Sequence, residues 1–104
     1  ENISDEEILA DLHPTGAICG YPKKSSLDFL AKNKPFNRGL YSSPIGFIGN
    51  HTTCLYVAIR SFLIDENKAY LFSGTGIVTG SIEKDEWEEL EIKIKQLKKC
   101  LNHE

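Results

Sequence analysis

Five large apolar residues near the end of the chain, Trp87, Leu90, Ile94, Leu97 and Leu101, recur at intervals of three or four. At about 100° per residue they form one narrow stripe along a helix. Such a helix must lay its stripe on another layer. Asp85, Glu86, Glu88 and Glu89 crowd its first turns, and Lys95, Lys98 and Lys99 stand near its end. That order of charge complements the helix dipole. The layer it meets is built from strands. Ile45 to Ile48, Leu55 to Ile64 and Ala69 to Ser73 are the three runs suited to them, with a turn at Asn50–Thr53 and another at Asp65–Lys68. Turns this short join antiparallel neighbours. The expected fold class is α+β, with helices packed on a three-stranded antiparallel sheet.

The first forty residues read as helix and loop. Ser4 followed by Glu7 is a capping box, so a short helix is expected over about residues 5–11. It ends at His13-Pro14, because the residue before proline disfavours the α region. Residues 13–22 contain two prolines and two glycines, yet also Ala17, Ile18 and Cys19. An irregular loop with that apolar content is expected to pack against something. Pro22 suits a helix start. Leu27, Leu30 and Ala31 supply that helix with an apolar face, and Asn33, Pro35 and Gly39 end it.

A length of 104 residues bounds the chain to one domain at most. With 40% hydrophobic and 26% charged residues the profile is globular rather than disordered. The net charge of -3 and the lack of a basic stripe argue against nucleic acid as a partner. Cys19, Cys54 and Cys100 have no C-x-x-C spacing, which suggests reduced thiols in a cytoplasmic protein. His13, His51 and His103 form no zinc pattern. No apolar run approaches the roughly 20 residues of a membrane span, and no secretory signal is present. Asn50-His51-Thr52 matches a glycosylation sequon, a pattern short enough to arise by chance. The chain starts at Glu1 and contains no methionine, so it is expected to be a segment of a longer product.

Three features could carry chemistry. Glu86, Glu89 and Lys93 lie three and four apart, so they share one helix flank beside the apolar stripe. Carboxylates there suit a hard cation such as Mg²⁺; the same spacing also describes a solvated charge network. Arg60 falls in the middle of the long strand. A planar guanidinium suits bidentate carboxylate recognition, and an outward-facing arginine on a half-solvated strand fits equally. Gly74 and Gly76 bracket Thr75 just past the third strand. Glycines let backbone N–H groups approach an anion, or they mark a plain turn. Lys23 and Lys24 read as solvated, and Cys19 as packing.

In order along the chain, these pieces resemble the chorismate-utilising enzymes. His13-Pro14-Thr15-Gly16-Ala17-Ile18-Cys19-Gly20-Tyr21-Pro22 is similar to their HPT-x-A-x-x-G-x-P segment. Pro35 to Tyr41 resembles EPFDRGWY, Val57 to Ser61 matches VAIRS, and Gly74 to Val78 is close to GAGIV. Glu86-Trp87-Glu88-Glu89 with Lys93 matches E-W-x-E-x-x-x-K. Five motifs in family order span about residues 4–100. Within the family they are most similar to isochorismate synthases, the menaquinone-pathway type in particular.

The resemblance implies interconversion of chorismate and isochorismate with Mg²⁺ on the ring carboxylate. Both a quinone and a siderophore destination are compatible with it. It implies that Glu89 ligates Mg²⁺ and that Glu86 acts on it through water. Lys93, Arg60 and the Gly74 backbone would contact the substrate, and Ala17 and Ile18 would line its pocket. It also implies that no catalytic acid or base lies in this chain, which corresponds to the C-terminal part of a chorismate-binding domain and would be inactive alone. Sheet strands contributed from elsewhere would be missing, leaving edges that favour self-association. Salicylate, anthranilate and aminodeoxychorismate synthases are the alternatives within the family, and a non-catalytic binding or assembly module the alternative outside enzymes. Three positions depart from the pattern: Thr75 where alanine is usual, Gly16 where proline is common, and Leu90 where a threonine follows the metal carboxylate.

Overall fold

The computed structural model describes residues 2–102. Its elements run α1 (Asp5–Leu12), α2 (Gly16–Cys19), α3 (Lys23–Asn33), β1 (Pro44–Ile48), β2 (Thr53–Val57), β3 (Ser61–Asp65), β4 (Lys68–Phe72) and α4 (Glu83–Leu101). They fall into two compact units, the first running to Ala58 and the second starting at Ile59.

In the first unit the expected capping box is formed. The Ser4 amide donates to Glu7 Oε2 at 2.9 Å, and the Glu7 amide donates to Ser4 Oγ at 3.2 Å. Two orphan amides of the first turn are thereby satisfied. The loop after α1 is not wholly irregular: Ala17 and Ile18 lie in the single-turn helix α2, and Cys19 at its end is buried. Arg38 Nη1 reaches back to donate to the Ile18 carbonyl at 3.2 Å. Helix α3 follows Pro22 as expected. The hairpin β1–β2 pairs antiparallel from Pro44↔Val57 to Ile48↔Thr53, and the Thr53 hydroxyl donates to Asp5 of α1.

In the second unit β3 and β4 form another antiparallel hairpin, from Ser61↔Phe72 to Asp65↔Lys68. Its two-residue loop opens with Glu66 at φ 51°, a first loop position with positive φ as the hairpin-type turns require. Helix α4 packs against β4. Leu97 is buried and Leu90, Ile94 and Leu101 are half-buried, so the stripe is real over most of its length. Trp87, at the start of the stripe, is exposed.

The α+β class therefore holds, but the single three-stranded sheet does not. The run from Leu55 to Ile64 is two strands, and the sheets are two separate hairpins, β1–β2 and β3–β4. The break has a local cause. Arg60 takes φ 45°, a left-handed conformation that cannot continue a pleat. Just before it, Ala58 closes the first hairpin: its amide donates to the Ser43 carbonyl and its carbonyl accepts from the Ser42 amide, each at 2.8 Å.

Within the first hairpin, Gly46 faces Leu55 in the register. A Cβ built there would lie 1.9 Å from the Cys54 carbonyl oxygen. Neither backbone can yield that far without breaking the ladder. Gly46→Ala is expected to destabilise the hairpin by about 3 kcal/mol, as overpacking does. Loss of amide protection confined to β1 and β2 in hydrogen exchange would reveal it, and unchanged protection would contradict it.

Candidate functional site

The site is built in the second unit, where the loop after β4 meets one flank of α4. Spacings of three and four set Glu86, Glu89 and Lys93 along that flank. The adjacent loop residues Gly74 and Thr75 each hold one point of it. Lys93 Nζ donates to the Gly74 carbonyl at 2.9 Å. The same ammonium pairs with Glu89 Oε1. The Thr75 hydroxyl donates to Glu86 Oε2.

Burial decides how to read the charges. The Lys93 side chain is 15% exposed, whereas Glu89 is 51% exposed. The Lys93 side chain is largely covered, which sets this pair apart from the fully solvated i,i+4 network that the spacing alone allows. Lys84 and Glu88, at 82% and 61% exposure and 3.8 Å apart, are that kind of pair. A lysine with so little of its side chain exposed needs partners for its charge, and Lys93 has two. The carboxyl of Glu89 is held below the usual carboxylate range. A hydrogen bond from Lys93 is the main cause and the Lys93 charge the next, with desolvation acting in the opposite direction. The Thr75 hydroxyl and the positive charge of Arg60 lower it further.

Arg60 is therefore not an arginine inside a strand. It sits at the break before β3, exposed and in a left-handed conformation, with its charge felt at Glu89. Non-glycine residues in such conformations carry strain and cluster at functional sites. At the glycine turn the Gly74 carbonyl accepts from Lys93. Ala17 and Ile18 belong to the first unit. The structure thus brings together Gly74, Glu86, Glu89 and Lys93, with Arg60 in electrostatic reach of Glu89.

Two residues had no assigned role in the sequence reading. Thr75 was marked there only as a departure, and its signal is its place between two glycines eleven residues before Glu86. Ser73 precedes Gly74, and its hydroxyl is buried with no hydrogen-bond partner among the described residues. No pattern in the sequence points to it.

The donor chemistry fits a hard cation in kind, since Glu86 and Glu89 present carboxylate oxygens from neighbouring positions. Among the described residues no group of three or more metal-ligating side chains converges. Two carboxylates fall short of the six ligands Mg²⁺ takes, so waters, substrate oxygens or groups from outside these residues would complete its shell. No helix among the described residues is long and apolar enough to cross a membrane.

Residues 1–102 match the chorismate binding enzyme family, and the chain belongs to that family. It is 43% identical over 99 residues to the chloroplastic isochorismate synthase of Catharanthus roseus, covering 94% of this chain and 17% of that protein. It is 39% identical over 105 residues to isochorismate synthase MenF of Bacillus subtilis, covering 100% of this chain and 22% of that protein. Component 1 of the anthranilate synthase of Acinetobacter calcoaceticus is 29% identical over 102 residues, covering 97% of this chain and 20% of that protein. The chain spans about a fifth of the length of these curated relatives.

Because Glu89 titrates below its ordinary value in the folded chain, its pairing stabilises the fold above that ordinary value. The contribution is lost as pH falls through the lowered value. Lys93→Met keeps the stem and removes the cause. The Glu89 titration, followed by carboxyl ¹³C NMR, is expected to move up in the variant. The stability gap between wild type and variant should shrink on acidification. A Glu89 titration that stays where it is would show that Lys93 is not the cause.

Proposed function

We propose that this chain supplies part of the active site of an isochorismate synthase, which interconverts chorismate and isochorismate with Mg²⁺. The carrying observation is the ammonium of Lys93, a half-buried residue, set between the Gly74 carbonyl and Glu89. It joins the glycine turn to the carboxylate flank in one cluster of a chain that is 43% identical to a chloroplastic isochorismate synthase.

The reaction is an isomerisation. Water adds at one ring carbon while a hydroxyl leaves another, taking up a proton as water, so nothing is oxidised or reduced. In this reading Glu89 holds the magnesium directly and Glu86 through water. Bound magnesium would neutralise the substrate's ring carboxylate. Lys93 and Arg60 bind carboxylate oxygens, Arg60 through two parallel N–H donors. Gly74 offers its backbone beside them. No residue of this chain is assigned as the acid or base, so the chain alone is proposed to be inactive.

Its partners are then chorismate and isochorismate. Each hairpin sheet has two strands and unpaired edges. Phe47, Tyr56, Leu63 and Ile64 are exposed on them, which supports self-association of the chain when alone. Three free thiols support a reducing compartment such as the cytoplasm, although the Catharanthus relative is named as chloroplastic.

The test is product analysis by chromatography of the full-length protein that carries this chain, with chorismate and Mg²⁺. Isochorismate is the expected product. Anthranilate, formed with an amine donor, would favour the second reading that the Acinetobacter relative supports; salicylate would point to the related lyase chemistry. Glu89→Gln is expected to reduce magnesium affinity by at least about 10-fold, as loss of a charged ligand does. Arg60→Ala should raise the chorismate KM by about 30-fold or more, the scale of a charge-assisted bidentate pair. A full-length protein inert towards chorismate would refute the proposal.

A further inference from the structure

Within this cluster Glu89 and Glu86 are held in different ways. Glu89 is paired with an ammonium. Among the described residues Glu86 has no ion pair, and its contact is the neutral hydroxyl of Thr75. Both Thr75 and Glu86 are half-buried, and Glu86 lies in the first turn of α4.

The hydroxyl is not free to wander. Threonine is branched at Cβ and stiff at χ1. Its backbone is fixed by the preceding residue, because the Gly74 carbonyl accepts from Lys93 at 2.9 Å. The Thr75 hydroxyl therefore points from an anchored position at one oxygen of Glu86. A hydroxyl has a single proton to donate; its hydrogen bond is to Glu86, and the same hydroxyl also favours the charged form of Glu89. A neutral donor orients a carboxylate without cancelling its charge, so the remaining lone pairs can still accept from a metal-bound water.

We propose that Thr75 is a positioning residue: it fixes the Glu86 carboxylate in the direction from which it holds the water shell of a divalent cation. This rests on the magnesium reading above and extends it to a side chain that touches neither metal nor substrate. Positioning lowers the ordering cost that Glu86 would otherwise meet on binding.

The experiment compares Thr75→Ala, Thr75→Val and Thr75→Ser in the full-length protein. Magnesium affinity is read by titration calorimetry, and chorismate KM and kcat are measured at saturating metal. Thr75→Val keeps side-chain shape and branching, so it tests the hydroxyl without opening a cavity. Thr75→Ala and Thr75→Val are expected to weaken magnesium binding about 5-fold, the scale of one hydrogen bond, with the KM for chorismate at saturating metal unchanged. Thr75→Ser restores the hydroxyl and should recover affinity to within about two-fold of wild type. Wild-type-like or tighter affinity in Thr75→Val overturns the role of Thr75 alone, as does a Thr75→Ser variant no better than Thr75→Val. Absence of magnesium binding in the wild type overturns the metal reading and this role with it.

Discussion

The second unit depends on where the Lys93 ammonium can find oxygen. Its side chain is largely withdrawn from water, and a charge so placed is costly unless it is paired. Two acceptors meet that demand: a carboxylate four residues back on the same helix and a backbone carbonyl nineteen residues back in the loop. The first is inherent to helical spacing. The second ties residues 73–82, which form no regular element, to the helix flank. Once Gly74 is held, its neighbour Thr75 lies against Glu86. Two consecutive loop residues are thus fixed by two helical side chains.

A second constraint is the left-handed backbone of Arg60. It ends the pleat and separates β2 from β3 in sequence. A continuous strand would alternate its side chains between two faces, and the position of Arg60 would follow from that alternation. The break frees it from the pattern. Its charge then contributes at Glu89, within the second unit.

Most of the elements were legible in the residues because their causes are local. Ser4 and Glu7 cap α1 through atoms three residues apart. His13-Pro14 ends it, and α4 follows its apolar period from Leu90 to Leu101. The family was legible for a related reason, since five short motifs in a fixed order survive in the sequence whatever the fold around them. The split of the long strand was not legible. Val57, Ala58 and Ile59 on one side of Arg60 and Phe62, Leu63 and Ile64 on the other continue the same apolar, β-prone composition. Composition does not encode the sign of one φ angle. Trp87 likewise fits the helical stripe but stays exposed, because a periodic position says which face a side chain takes and not how far the facing layer extends.

The sequence by itself determined that Glu86, Glu89 and Lys93 share one helix flank, that a glycine turn precedes them, and which family's motifs they match. It left two readings of the charges, solvated network or site. Only the tertiary structure decided that the Lys93 side chain is largely covered, that its second acceptor is the Gly74 carbonyl, and that Thr75 donates to Glu86. The division has a physical reason. Spacing along a helix follows from 3.6 residues per turn, whereas burial and hydrogen-bond partners across a loop depend on which segments the chain brings together.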